Sequence, residues 1–251
     1  PYTTLFRSLM NTLGKEFASH GYPTLLTTTT HIMKPDFLSD ESYIENEDLG
    51  QLANIFTNLK KNTLPLAALG IPEKVVNSNI KWRSPSSDFC KKIAEFSKKF
   101  STKNPYKFLK ILCEGDGSKR LPIKLPKDGE PVFFPKTDTV IGVIGLSCLG
   151  KPIKETLFRY ELLPNLTSLD NYFIKSLQSA DIVTTDFLYR LCLSEKGLRK
   201  NITSQKFCII FNQADILDEK ALAEVITLRN QLQTKGICSH IISVKNNYII
   251  N

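Results

Sequence analysis

No apolar run in this 251-residue chain approaches the roughly 18 residues of a membrane span. No basic stretch followed by an apolar core opens it, as a secretory signal would. Six cysteines (Cys90, Cys113, Cys148, Cys192, Cys208, Cys238) are scattered singly, and no two have C-x-x-C spacing. A zinc knuckle and a redox pair are therefore not expected, and reduced thiols in the cytoplasm are the default reading. There is no internal repeat and no low-complexity linker. The run G-x-x-x-x-G-K-[ST], whose backbone N–H groups wrap phosphates, occurs nowhere.

What is present suits a globular chain: 41% hydrophobic and 23% charged residues. The length allows one large α/β domain or two small ones, and a single domain over 9–251 is the expectation. The net charge is +8, and all of that excess falls in 81–136, with 14 Lys+Arg against 6 Asp+Glu. Such a patch attracts phosphate on a nucleotide, a nucleic acid or a lipid headgroup. The plainer reading of Lys91, Lys92, Lys98, Lys99 and Lys103 is a solvated helix face. Phe89, Phe96 and Phe100 share helical spacing with Ile93, which fits a core face better than a base-stacking platform. No nucleic-acid reading motif accompanies the patch, so no nucleic-acid partner is expected.

Apolar runs alternate with amphipathic stretches. Helices are predicted over 9–20 (closed by Gly21), 49–59, 88–100, 169–177, 185–199 (stopped near Gly197) and 219–234 (capped by Asp218, closed by Gly236). Strands are predicted over 24–32, 108–113, 139–146, 207–211 and 237–244. Strands separated by helices imply crossovers and a mainly parallel sheet. Arg120–Lys136, rich in Pro and Lys, reads as a long functional loop.

In an open parallel sheet, ligands bind beyond the carboxyl ends of strands. Four features fall there. Thr27, Thr28, Thr29, Thr30 and His31 could contact phosphate or metal-bound water; alternatively they are a β-branched strand with a structural histidine. Cys113-Glu114-Gly115-Asp116-Gly117 offers a carboxylate after an apolar strand, where a magnesium-holding acid belongs, or else an Asp-Gly turn. Lys119 and Arg120, followed by Lys124 and Lys127, could bind phosphate or a second anion, or are solvated loop cations. Asn212-Gln213-Ala214-Asp215 partly matches the Asn-Lys-x-Asp of guanine-specific NTPases. Asp215 would read a purine edge while Asn212 braces the loop, unless the segment is an ordinary helix-capping loop.

The order of these motifs resembles the YqeC family. The pieces that carry the likeness are LLTTTTHI (25–32), EGDGSKRLPIK (114–124), GEPV (129–132), VIGVIGLSCLGKPI (140–153) and NQAD (212–215). The resemblance covers about residues 9–250. It implies a P-loop NTPase-like three-layer sandwich. It also implies a cytoplasmic accessory protein in maturation or insertion of the cofactor of selenium-dependent molybdenum hydroxylases. Its ligands would be Mg2+ and a nucleoside triphosphate, GTP or ATP, and its partner a molybdenum hydroxylase or that cofactor's precursor. Asp116 would hold the metal and Glu114 or His31 would orient an attacking water. Thr28, Thr29 and Thr30 would line the phosphate side. Lys119, Arg120 and Arg159 would bind an anionic partner, and Asn212 and Asp215 would face the base. The family carries a P-loop ending in Gly-Lys-Thr-Ser or Gly-Lys-Thr-Thr directly before Leu-Met. Here Leu9-Met10 follows Pro1–Ser8, with Phe6 where the phosphate lysine belongs and Arg7 where the magnesium hydroxyl belongs. Residues 1–8 resemble a translated sequencing adapter. The expectation is a fragment whose first strand and P-loop are replaced by foreign residues, and which is itself inactive. The alternative reading of function is a non-hydrolysing cofactor- or partner-binding module.

Overall fold

The structure, a computed structural model, describes residues 5–57, 63–103, 108–166 and 181–250. The chain falls into two compact units. The amino-terminal unit comprises Phe6–Gly117 with Val132–Lys136, and the carboxy-terminal unit Ser118–Pro131 with Thr137–Asn251. Each has its own sheet and core. No helix among the described residues is long and apolar enough to cross a membrane.

The amino-terminal unit opens with α1 (Leu5–Ser19). Gly21, at φ +79°, then turns the chain as only glycine does cheaply. A parallel sheet follows, built from β1 (Thr24–Thr28), β3 (Tyr43–Ile44), β4 (Leu66–Leu69) and β7 (Lys110–Glu114) in the order β3-β4-β1-β7. The two faces of β1 feed two cores. Leu25 packs with Leu52, Phe56, Phe89 and Ile93, and Leu26 with Ala18, Leu66 and Trp82. Helix α2 (Leu49–Thr57) supplies Leu52 and Phe56. Helix α3 (Ser87–Lys103) buries Phe89, Cys90, Ile93 and Ala94 and leaves Lys91, Lys92, Lys98 and Lys99 in solvent. These lysines form the solvated face that the spacing predicts. A three-stranded antiparallel sheet, in the order β2-β6-β5, joins β2 (His31–Met33), β5 (Ile71–Val76) and β6 (Asn79–Arg83).

In the carboxy-terminal unit, β8 (Ile123–Lys124) pairs in parallel with β10 (Leu157–Phe158). The main sheet runs β13-β12-β11-β9. Its strands β9 (Thr139–Gly145), β11 (Lys206–Asn212) and β12 (Cys238–Ser243) are parallel, and β13 (Tyr248–Ile250) is an antiparallel edge. The one-turn helix α4 (Ile153–Thr156), α5 (Thr185–Leu193) and α6 (Glu219–Thr234) complete it. Its core joins Ile144, Phe187, Leu188, Ile209, Phe211, Val225, Leu228 and Ile241. Thr184 accepts from Phe187 N and Asp218 from Ala221 N, so both long helices start on a side-chain cap. Helix α5 stops at Leu193, short of the predicted 199, with Ser194 as its C-cap. The helix predicted over 169–177 lies outside the described residues. The fold is thus α/β with parallel and mixed sheets.

Candidate functional site

Three groups of predicted residues occupy strand ends, and each belongs wholly to one unit. In the amino-terminal unit, β1 and β7 run side by side with Thr27 opposite Cys113 and Thr28 opposite Glu114. The predicted strand 24–32 breaks after Thr28. The Thr28 hydroxyl donates to Glu114 O at 3.0 Å and accepts from Thr30 N at 3.0 Å. A threonine that satisfies the turn locally gives the backbone an alternative to the ladder. Thr29 N donates to Glu114 O at 3.1 Å, and Thr29 Oγ1 donates to Val132 O at 2.5 Å. Val132 N donates back to Gly115 O at 3.2 Å. A Cβ on Gly115 would stand 3.0 Å from Val132 O, so a side chain here would push that carbonyl back by a few tenths of an ångström. The side-chain oxygens Glu114 Oε2 and Asp116 Oδ1 are buried here. Thr27 Oγ1 is buried too and makes no hydrogen bond. Burial pushes the Cys113 thiol up to about 12, so it is protonated and unreactive at neutral pH.

His31 stands apart from this group in secondary structure. It lies on β2 in the antiparallel sheet, paired with Arg83, and its exposed Nε2 is 3.2 Å from Glu73 Oε1. The two residues proposed to orient water, His31 and Glu114, therefore ride on different sheets.

The second group is in the carboxy-terminal unit. Phe158 is ringed by cations, with Arg159 Cζ at 4.9 Å, Lys119 Nζ at 5.0 Å and Lys124 Nζ at 5.6 Å from the ring centroid. Glu130 receives Arg159 in a two-pronged pair, with Nη2 to Oε1 at 2.9 Å and Nη1 on Oε2. It also receives Lys124 Nζ at 2.8 Å. The Arg159 hydrogen bonds, aided by Lys124, hold the Glu130 carboxyl at about 2, well below its ordinary range. Lys124 moves the other way from a simple pair: burial outweighs the Glu130 carboxylate and lowers its pKa. The geometry resolves this, since Glu130 accepts from two cations and each cation has only a share of Glu130. Arg159 is thus committed to Glu130, whereas Lys119 and Arg120 are exposed. All three basic residues sit in left-handed backbone, with φ +51° at Lys119, +71° at Arg120 and +64° at Arg159. Non-glycine residues in that region cost of order 1 kcal/mol each and concentrate at ligand clamps.

The third group closes the carboxyl ends of β11 and β12. Asn212 Oδ1 accepts from Gln213 N at 2.7 Å and Val244 N at 3.2 Å, bracing two loops with one oxygen. Gln213 is left-handed at φ +74°, and its Oε1 accepts from Ser147 N at 3.3 Å. Ser243 donates to Asp215 Oδ1 at 2.6 Å, and Lys245 Nζ lies 3.9 Å from Asp215 Oδ2. The Asp215 side chain is only 8% exposed. Ser243, Val244 and Lys245 were not singled out from the sequence. The available signal was their place at the end of the last predicted parallel strand.

Among known proteins, the family described as YqeC protein matches residues 7–161. That span takes in Thr28–Thr30, Glu114, Asp116, Lys119, Arg120 and Arg159. No curated protein and no solved structure matches the chain.

Proposed function

The chain belongs to the YqeC family, and from that premise we propose a nucleotide-binding accessory protein that serves maturation or insertion of the cofactor of selenium-dependent molybdenum hydroxylases. The observation that carries the reading is the bracket of Asn212, Asp215 and Ser243. One amide oxygen ties two loops, and Ser243 fixes the carboxylate before any ligand arrives. Such preorganisation lowers the ordering cost of binding. A carboxylate accepts two adjacent donors. A guanine edge offers two and an adenine edge one, so the bracket favours GTP over ATP.

The magnesium reading rests on donor chemistry. Glu114, Asp116 and Thr27 present buried oxygens at neighbouring strand ends, and Mg2+ takes hard oxygen ligands. Asp116 would hold the ion. Thr28 and Thr29 hold the strand-end backbone in place through Glu114 O. The test is run on the protein as its genome encodes it. Equilibrium dialysis with GTP, ATP and CTP should rank GTP first, and Asp215→Ala should remove the preference. Equal affinity for all three would sink the base assignment. Asp116→Ala should abolish magnesium-dependent hydrolysis while binding persists.

A second reading, a module that carries an anionic cofactor without turnover, is favoured by the exposed Lys119 and Arg120 beside the Phe158 cluster. Nucleotide binding without hydrolysis, together with capture of a molybdenum hydroxylase, would select it.

A further inference from the structure

The face of the main carboxy-terminal sheet opposite its core carries three soft ligands. Ile209, Phe211 and Ile241 point into the core. Alternation along each strand puts Cys208, Cys238 and His240 on the other face. The parallel register sets Cys208 directly beside Cys238, and His240 follows two residues along β12. His240 Nε2 is 3.5 Å from Cys238 Sγ. The two sulfurs and an imidazole nitrogen all lie within 4.8 Å of one another, and this is the one such His/Cys/Asp/Glu cluster among the described residues.

We propose that Cys208, Cys238 and His240 form a metal site for a thiophilic divalent ion, zinc above all, with water as the fourth ligand. The 3.5 Å edge between Cys238 Sγ and His240 Nε2 is that of a zinc tetrahedron, and the other two edges lie within 4.8 Å. Bonds of about 2.3 Å to sulfur and about 2.0 Å to nitrogen put an S···N edge near 3.5 Å and an S···S edge near 3.8 Å. Two thiolates and a neutral imidazole suit a borderline-soft ion and disfavour Mg2+ or Ca2+, which want oxygen. Binding balances simply: each thiol releases one proton to solvent, each ligand atom donates one lone pair, and no electron is transferred. Two thiolates cancel the charge of the ion. Cys238 and His240 are exposed, so the fourth position opens to solvent and the ion is exchangeable. Bound there, it clips β11 to β12 at their amino-terminal half, away from the Asn212 and Ser243 bracket at the other end of the same strands.

The test uses the full chain without a histidine tag, reduced and titrated with Co2+ and then Zn2+. Cys90, Cys148 and Cys192 are buried, so they do not compete. We expect one Co2+ per chain, with thiolate-to-cobalt charge transfer and the visible bands of a tetrahedral ion, displaced by Zn2+. Cys238→Ser should abolish the charge-transfer band or halve it, and His240→Gln should weaken Zn2+ binding by at least about 100-fold, beyond what outer-shell changes cost. Both positions are exposed, and circular dichroism will confirm that the variants fold. Absence of charge transfer in the reduced wild-type chain overturns the proposal. So does Zn2+ affinity unchanged in both variants, or an octahedral cobalt spectrum.

Discussion

Glu130 shows what one side chain can organise. It lies 15% exposed between Lys124 and Arg159, and removing it leaves two cations sharing a poorly solvated site. Breaking such a pair from one side costs about 3 kcal/mol, so Glu130→Gln should lower the urea midpoint markedly at pH 7. The carboxyl sits at about 2 when folded against 4.5 ordinarily. A depressed acid stabilises the fold above its unfolded value. Its contribution, about 3 kcal/mol by linkage, is therefore complete above roughly pH 5 and is lost as pH falls through 4.5 toward 2. Stability measured across that window should slope steeply in the wild type and more gently in Glu130→Gln. Sequence alone could nominate Arg159 as an anion ligand, but it could not show that Glu130, 29 positions away, is already bound to it. Asn212 was more legible, because its bracing role follows from an amide placed just after an apolar strand. The juxtaposition of Cys208, Cys238 and His240 carries no spacing signal. Ligands on neighbouring strands are 30 residues apart in sequence and adjacent only in register.

Secondary-structure elements were legible where periodicity was long and caps were explicit. Helix α6 runs over the predicted 219–234, with Asp218 accepting from Ala221 N at 2.8 Å. Asp218→Ala should cost about 1 kcal/mol in chemical denaturation, the usual value of a lost N-cap. The hairpin of β5 and β6 was not legible. Its outward residues leave β5 without clear alternation, and its turn is Asn77-Ser78, both at positive φ, without the Asn-Gly signal. Strand β4 was missed for a different reason: Leu66-Ala67-Ala68-Leu69 is short and holds two alanines, which are poor strand formers. Parallel pairing with β1 on one side and β3 on the other, with all four residues buried, makes it a strand. Gly70 follows it, and a Cβ there would lie 2.4 Å from Trp82 Cε3. Gly70→Ala should therefore destabilise by about 1–3 kcal/mol through overpacking, visible as a lower melting temperature by circular dichroism.

At the scale of the whole molecule, the +8 excess of segment 81–136 is not all free charge. It is divided between the two units, and several of its cations are already engaged. Lys81 meets Glu73, Lys91 meets Asp88, Lys124 meets Glu130, and Lys110 lies over Phe17 and Tyr22. Duplex DNA should accordingly bind weakly, with a slope of log affinity against log salt no steeper than about −3, or roughly three phosphates. A slope near −8 would show a contiguous groove-tracking surface. The α/β class followed from the alternation of apolar and amphipathic stretches. The division into two units did not, because a parallel strand reads alike whichever sheet it joins.

Trp82 is the sole tryptophan of the chain and is 1% exposed. Its indole N–H donates to Glu45 Oε1 at 3.0 Å, with Tyr43 edge-on at 5.9 Å and the Lys34 ammonium at 5.7 Å from its ring. Fluorescence excited at the red edge of the indole band, beyond tyrosine absorption, thus comes from one fixed chromophore in the amino-terminal unit. That chromophore is an intrinsic optical label, and no dye has to be introduced to follow that unit while zinc is added to the other.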